Sequence, residues 1–241
     1  MFRSVQSGCY FNVGASLGEG EVNQYGGVIA HRSRYQMIIG VRGGTGRYSV
    51  MGGISDVESD VYVGGIPYDR LQGVVEGIDH AADATFRAKY DYTKLNASGS
   101  LKVAGGVFQT VSNLYVSASG KGMIEIGGDT NTLLSANDIV LTKTVDGDKT
   151  YVSDLVFTVG ADGVGVLKAN GRLIIGDGAK LKVTVTEMPE ASWTKLIEYG
   201  EIDGEFASIE FDGEGEIVKR TRKGVNAYWL HKPKGLALIL R

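Results

Sequence analysis

The sequence predicts an all-β chain, a parallel β-helix of stacked coils of about 25 residues with a C-terminal β cap. Three observations predict it. Five glycines, Gly14, Gly18, Gly20, Gly26 and Gly27, return 26 residues on as Gly40, Gly44, Gly46, Gly52 and Gly53. Apolar residues keep the same step, Val13 to Ile39, Val22 to Tyr48 and Tyr25 to Met51. Within a unit the apolar residues alternate over short runs, which is the period of strands and not of helices.

The units continue along the chain. GRYSVMGGISDVESDVYVG, residues 46–64, aligns without a gap on GSLKVAGGVFQTVSNLYVS, residues 99–117, at an offset of 53. This places Gly52 and Gly53 on Gly105 and Gly106, Val50 on Val103, Val57 on Thr110 and Tyr62 on Tyr115. A shorter copy spans Gly120 to Leu141 and restarts the pattern at Gly122 and the pair Gly127 and Gly128. From Leu155 to Thr186 the texture persists but the register is lost.

One unit reads as two or three short strands. In the copy at 99–117 the alternating positions are Leu101 and Val103, then Val107 and Val111, then Tyr115. Gly, Ser, Asn and Asp bound the runs and supply tight turns. Such a unit cannot bury its apolar face alone, so the units stack and equivalent strands pair in parallel. Ile39, Val50, Val57, Val103 and Val116 are the expected core columns, and Gly52, Gly53, Gly105 and Gly106 the expected turns. A β-sandwich also uses many short strands, but it leaves glycines at a fixed 26-residue step unexplained.

Composition agrees with one elongated domain. Glycine is 36 of 241 residues, about twice the ordinary frequency of ~7%, yet 43% of residues are apolar and only three are proline. The formal charge of −3 opposes a nucleic-acid partner. Cys9 is the single cysteine, so no internal disulfide forms, and it reads as a small buried residue. Neither a metal-ligand spacing nor a cofactor motif is present, and the expected cofactor is none. No apolar run reaches the length of a membrane-spanning helix. Met1-Phe2-Arg3 carries no apolar signal region. The repeat starts in mid-unit at Tyr10, so the expectation is a piece of a longer protein from which a signal and earlier coils have been removed.

The unit GxGxhxhxGGxhxxxxxxhhhG, where h is apolar, resembles the passenger-domain repeats of autotransporter-like bacterial surface proteins from about Val13 to Leu141. The stretches GRLIIGDGAKLKVTVTE and WTKLIEYGEIDGEFASIEF resemble the way such passengers end, with Leu196, Ile197, Gly204 and Phe206 in the marked positions. The resemblance implies a right-handed parallel β-helix exported to the cell surface or beyond. No membrane barrel follows before Arg241, so the resemblance does not carry self-export by an attached barrel.

The domain reading follows from these points. Residues 1–187 form the β-helix, with a non-repeat insertion at about 66–97, and residues 188–241 form the cap of the same domain. Trp193 and Trp229, the only tryptophans, are expected to plug the open end, although aromatic rings also stack on sugars. After about Gly176 the runs lengthen, at 206–211, 227–230 and 236–240. Lys219, Arg220, Arg222 and Lys223, set against the acidic stretch 212–216, read as a charged hairpin.

Candidate binding residues lie in the insertion: Tyr68, Asp69, Arg70, His80, Arg87 and Tyr90. Insertions between repeat units map to loops on one face, often the binding face. If the chemistry is enzymatic, Glu58, Asp60 and Asp79 are the expected carboxylates. Asp56, Glu58 and Asp60 read as one outer strand face at about 7 Å spacing, within the range that glycoside hydrolysis uses. No complementary basic or acidic column accompanies them in the sequence. The expected function is therefore a secreted or cell-surface structural, adhesive or interaction module without catalysis. A carbohydrate-active enzyme, lyase or hydrolase, is the alternative. Expected partners are extracellular carbohydrate or protein surfaces, with oligomers forming through the helix ends.

Overall fold

The computed structural model describes residues 2–4, 10–15, 17–66, 97–146 and 148–233, and all statements below concern these. The strands come in chain order. The first are β1 (Phe2–Ser4), β2 (Phe11–Ala15), β3 (Glu19–Gln24), β4 (Val28–His31), β5 (Met37–Val41) and β6 (Thr45–Val50). Next come β7 (Ile54–Val57), β8 (Val61–Val63), β9 (Ala97–Val103), β10 (Val107–Thr110), β11 (Leu114–Val116) and β12 (Gly120–Ile126). Then follow β13 (Leu133–Ala136), β14 (Ile139–Leu141), β15 (Lys143–Asp146), β16 (Lys149–Val152), β17 (Asp154–Val159) and β18 (Val166–Ile175). The chain closes with β19 (Lys180–Val185), β20 (Trp193–Asp203), β21 (Ser208–Asp212), β22 (Glu216–Arg222) and β23 (Val225–His231). No helix occurs among the described residues.

The strands stack in three parallel ladders. One runs β1-β4-β7-β10-β13-β18, the second β2-β5-β8-β11-β14-β18, and the third β3-β6-β9-β12-β17-β19-β21. The first two merge in β18, whose N-terminal part pairs with β13 and whose C-terminal part pairs with β14. The glycine step is the hydrogen-bond register itself: Gly20 pairs with Gly46, Val13 with Ile39 and Val28 with Ile54. The 53-residue offset is likewise a register, with Gly46 on Gly99, Val50 on Val103 and Tyr62 on Tyr115.

The repeated glycines are required by close backbone approach between the second and third ladders. A Cβ on Gly46 would lie 2.1 Å from the Val13 carbonyl oxygen and 2.4 Å from the Gly40 nitrogen. Gly14, Gly40 and Gly64 share positive φ at this corner, and Ser117 continues the column with a φ of 60°. There the Gly122 amide donates to Ser117 Oγ at 2.9 Å. Gly53 and Gly106 likewise occupy equivalent turns, where a Cβ on Gly106 would be 2.3 Å from the Gly53 oxygen.

The core is built of inward columns, such as Tyr48-Leu101-Ile124-Leu155-Leu181 and Val50-Val103-Ile126-Phe157-Val183 in the third ladder. Ile39, Val50, Val57, Val103 and Val116 are all buried, as the alternation predicts. In β10 the alternation has the other phase. Phe108 and Thr110 face inward, while Val111 lies beyond the strand and is 70% exposed. In β11, Leu114 and Val116 are buried and Tyr115 is only half-buried. A polar cluster inside the core joins β3, β6 and β7. Ser55 Oγ donates to Gln24 Oε1, Tyr48 Oη lies 3.0 Å from Ser55 Oγ, and Gln24 Nε2 donates to the Ile54 carbonyl at 3.0 Å. Burial pushes the Tyr48 phenol pKa up.

Two corners carry features the repeat does not contain. The insertion core, residues 67–96, lies outside the described residues, and Tyr68, Asp69, Arg70, Asp79, His80, Arg87 and Tyr90 lie there with it. Two coils on, the antiparallel hairpin β15–β16 interrupts the same corner between the second and third ladders. At the far end β20 pairs with β18 in parallel and with β23 antiparallel, and β22 pairs only with β23. Residues 234–241, with the apolar run expected at 236–240, lie outside the described residues.

Candidate functional site

The corner from the third ladder back to the first changes along the stack. Its first three connections, 25–27, 51–53 and 104–106, have three residues each, whereas 127–132 and 160–165 have six and 186–192 has seven. The lengthened loops wall two neighbouring cavities. One, of about 420 Å³, is lined by Asp129, Asn131 and Asp162 among others. The other, of about 590 Å³, is lined by Asp162, Glu190, Thr130, Val166, Lys195, Trp193 and Trp229 among others. The loop bearing Asp162 belongs to both.

Each loop is shaped locally. Asp129 accepts from the Asn131 amide at 2.9 Å and from Thr132 Oγ1 at 3.3 Å, an Asx turn. The Asn131 amide bond is the main reason its carboxyl pKa falls below the usual value. Gly160 and Gly163 exchange both backbone hydrogen bonds, at 2.9 and 3.0 Å, and push Ala161 and Asp162 outward.

The aromatic wall comes from the pairing of β20 with β23, which sets Trp193 opposite His231 and Lys195 opposite Trp229. Trp193 and Trp229 meet edge to face at 6.5 Å, and His231 stacks on Trp193 at 3.9 Å. From β22, Arg222 lies 4.7 Å from the Trp193 ring centre and 5.8 Å from that of Trp229, and Arg220 lies 5.2 Å from Trp193. Trp229 Nε1 donates to the Arg220 carbonyl at 3.1 Å, and His231 Nδ1 lies 2.9 Å from Glu216 Oε1. Lys195 pairs with Glu198, which also meets Lys168 at 3.0 Å. Partial burial works against the Glu198 carboxylate, but the hydrogen bonds from Lys195 and Lys168 outweigh it and hold its pKa below the usual value.

The tryptophans therefore do not plug the core. Tyr228, Leu230, Leu196, Ile197 and Tyr199 join the core cluster at this end, with Phe206 packed against it, while Trp229, itself only 9% exposed, and the half-buried Trp193 lie on the other face of their strands. Strand alternation explains this: Trp229 lies between Tyr228 and Leu230, so it takes the opposite face. The basic cluster does lie on a hairpin, β22–β23 with Lys223 at its turn, but that hairpin does not set it against the acidic stretch. Arg220 and Arg222 lie on β22, whose partner is β23, and β21 belongs to the other sheet.

The carboxylates singled out in the sequence have structural partners. Asp56 ends its outward course in β7, while Glu58 and Asp60 lie in the turn before β8, so the three do not share one strand. Arg32 binds Asp56 and reaches Glu58 at 3.1 Å, and Gln109 donates to Asp56 at 3.1 Å. The hydrogen bond to Asp56 raises the Arg32 pKa. Asp60 accepts from Ser112 Oγ and from the Asn113 amide at 3.1 Å. Sequence reasoning missed Asp162, Glu190 and Lys195. The available signal was the stretching of the corner from MGG and AGG to GGDTNT, GADGVG and TEMPEAS. Among the described residues, no three His, Cys, Asp or Glu side chains are grouped to hold a metal.

No protein-family model matches the chain, and neither a curated protein nor a solved structure matches it.

Proposed function

We propose that the chain is a right-handed parallel β-helix with a C-terminal β cap, secreted or displayed at a bacterial cell surface, that acts as a structural and adhesive interaction module without catalysis. The observation that carries this reading is the corner groove. On an otherwise regular stack, three successive connections lengthen and open onto Trp193 and Trp229. Lengthened connections on one face of a repeat stack are the usual place for recognition. The chemistry on its rim suits holding more than reacting. Asp129 is kept ionised by its own turn, which makes it a weak proton donor. Glu58 and Asp60 lie away from this groove, in the turn before β8, and are engaged by Arg32, Ser112 and Asn113. Surface display rests on the passenger-like repeat pattern from Val13 to Leu141.

The test has two arms. Purified chain is incubated with neutral and acidic polysaccharides and followed for new reducing ends and unsaturated products. None is expected, and turnover lost in Glu58→Gln or Asp60→Asn would overturn the non-catalytic reading. In the producing cell, added protease should remove an epitope on the chain from intact cells. Protection until lysis overturns surface display.

A further inference from the structure

The outer face of the cap sheet holds two cations without a counter-charge. Alternation along β22 puts Glu216, Val218, Arg220 and Arg222 on one face, beside Trp229 and His231 of β23. The Arg222 guanidinium lies 4.7 Å, and that of Arg220 5.2 Å, from the centre of the same Trp193 ring. Arg222 also lies 5.8 Å from the Trp229 ring centre. Neither arginine has a carboxylate within ion-pair distance among the described residues. The two carboxylates in register with this face are committed elsewhere. Glu216 meets His231 at 2.9 Å, and Glu198, across Ala227 from Arg220, is held by Lys195 and Lys168. Lys223 is exposed at the adjoining turn. Residues 216–232 carry five Lys and Arg against one Glu, in a chain whose formal charge is −3.

Two like charges held over one ring raise the local potential, and an anion between them relieves it. Stacking occupies the flat face of a guanidinium and leaves its rim of N–H donors for a carboxylate or sulfate. We propose that this face binds an acidic polysaccharide, whose carboxylate or sulfate groups bridge Arg220 and Arg222 with Lys223 at the adjoining turn. The proposal rests on the interaction-module reading and names its partner. The chemistry favours a glycan over other anionic partners. The amides of the sheet pair within its plane, so the face offers a peptide backbone no partner, whereas sugar hydroxyls stay hydrated. The indoles lie under the guanidiniums, Trp229 only 9% exposed, so the face presents charge and no apolar wedge to a bilayer. Duplex nucleic acid carries a charge every ~1.7 Å and is held by many phosphate contacts, which three cations on a chain of charge −3 do not supply.

Both tryptophans of the chain lie beneath these guanidiniums, so intrinsic fluorescence reports on the face. The full chain is titrated with oligogalacturonate, dextran sulfate and neutral dextran. At least one acidic polymer should shift the emission saturably, neutral dextran should not, and added sodium chloride should weaken the binding. Arg220→Ala and Arg222→Ala, followed by calorimetry, should each weaken it by about tenfold or more, the worth of one hydrogen bond to a charged group. Arg222→Lys keeps the charge and loses the fork, so it should also bind more weakly than wild type; it decides the question if the alanine variants fail to fold. Lys121→Ala, at an exposed position of β12, should bind as wild type does. The proposal fails if neither acidic polymer shifts the emission, or if neutral dextran binds equally well. It fails if the arginine variants bind as tightly as wild type, or if Lys121→Ala loses as much as they do. It also fails if polyglutamate or a DNA duplex binds and the acidic polysaccharides do not. Turnover of a bound polymer would sink the non-catalytic reading while leaving the face as a polysaccharide site.

Discussion

Gly99 stands directly against Gly64: a Cβ built on Gly99 would lie 2.3 Å from the Gly64 amide nitrogen and 2.1 Å from the Ile39 carbonyl oxygen. These two residues flank residues 67–96, and their contact reproduces that of Gly40 with Gly46 one coil earlier. The corner is therefore closed by backbone packed on backbone, and a methyl group has no room to shift into.

Glycine replacements should divide by site. Gly46→Ala and Gly99→Ala force displacement of main-chain atoms and should each cost about 1–3 kcal/mol or more. Gly26→Ala meets nothing within 4 Å and should stay within about 0.5 kcal/mol of wild type. Urea unfolding of the three variants checks this. Equal stability of Gly46→Ala and Gly26→Ala would show that the corner is not closed as described.

Two valines in one unit should respond oppositely to charge. Val103 is fully buried in the third ladder, and Val103→Asp should cost several kcal/mol or abolish folding. Val111 is 70% exposed, so Val111→Asp should be near neutral. Thermal melts of both variants measure the difference, and a well-folded Val103→Asp chain would reverse the inside and outside faces.

Alkaline stability should depend on Tyr228. Burial is the main cause that pushes its phenol pKa from 10.0 up to about 12, with the nearby Tyr199 and Glu205 adding to it. The unfolded chain ionises first, so the contribution is complete below pH 10 and is lost as pH rises from 10 to 12. A shift of this size corresponds to at most about 3 kcal/mol, less where solvent screens the phenol. Tyr228→Phe should flatten that part of the stability profile, measured by urea unfolding at stepped pH. An unchanged slope would place the alkaline loss on other groups, such as Tyr48 and Tyr199, whose pKa values burial also raises.

Truncation after Glu187 should cause aggregation. It removes β20 and β21, the neighbours of β18 and β19, and bares the paired edges together with Leu167, Leu173 and Leu181. Unpaired strand edges over apolar core recruit other chains. Light scattering and size-exclusion chromatography of the shortened chain provide the measurement. A monomer that melts cooperatively at the full-length temperature would make the last strands an accessory to the stack.

The ladders were legible in the sequence because close approach forbids side chains, and glycine writes that restriction into the sequence at Gly40, Gly46, Gly52 and Gly53. The lengthened corner was not, because loops 127–132, 160–165 and 186–192 vary in length and sequence and keep no shared step. Phase was legible only where alternation was unbroken. Asp56, Glu58 and Asp60 read as one strand because the turn between β7 and β8 contains neither Gly nor Pro. Thr110 Oγ1 instead donates to the Ser59 carbonyl at 2.8 Å and braces that turn from inside. Trp193 and Trp229 were visible as a pair, but their face depended on which aromatic of the adjacent Tyr228 and Trp229 turned inward.

The register across the insertion has a consequence for how such a stack tolerates change. After residues 67–96, β9 takes up pairing with β6 in phase, Gly46 on Gly99, and after the β15–β16 hairpin β17 takes up pairing with β12 just as directly. Each ladder is thus a ruler that resets the count, whatever number of residues separates its strands. The frame keeps no memory of the length of its detours. Two corners of one coil are then free to vary independently, one lengthening its excursions while the other shapes a cleft.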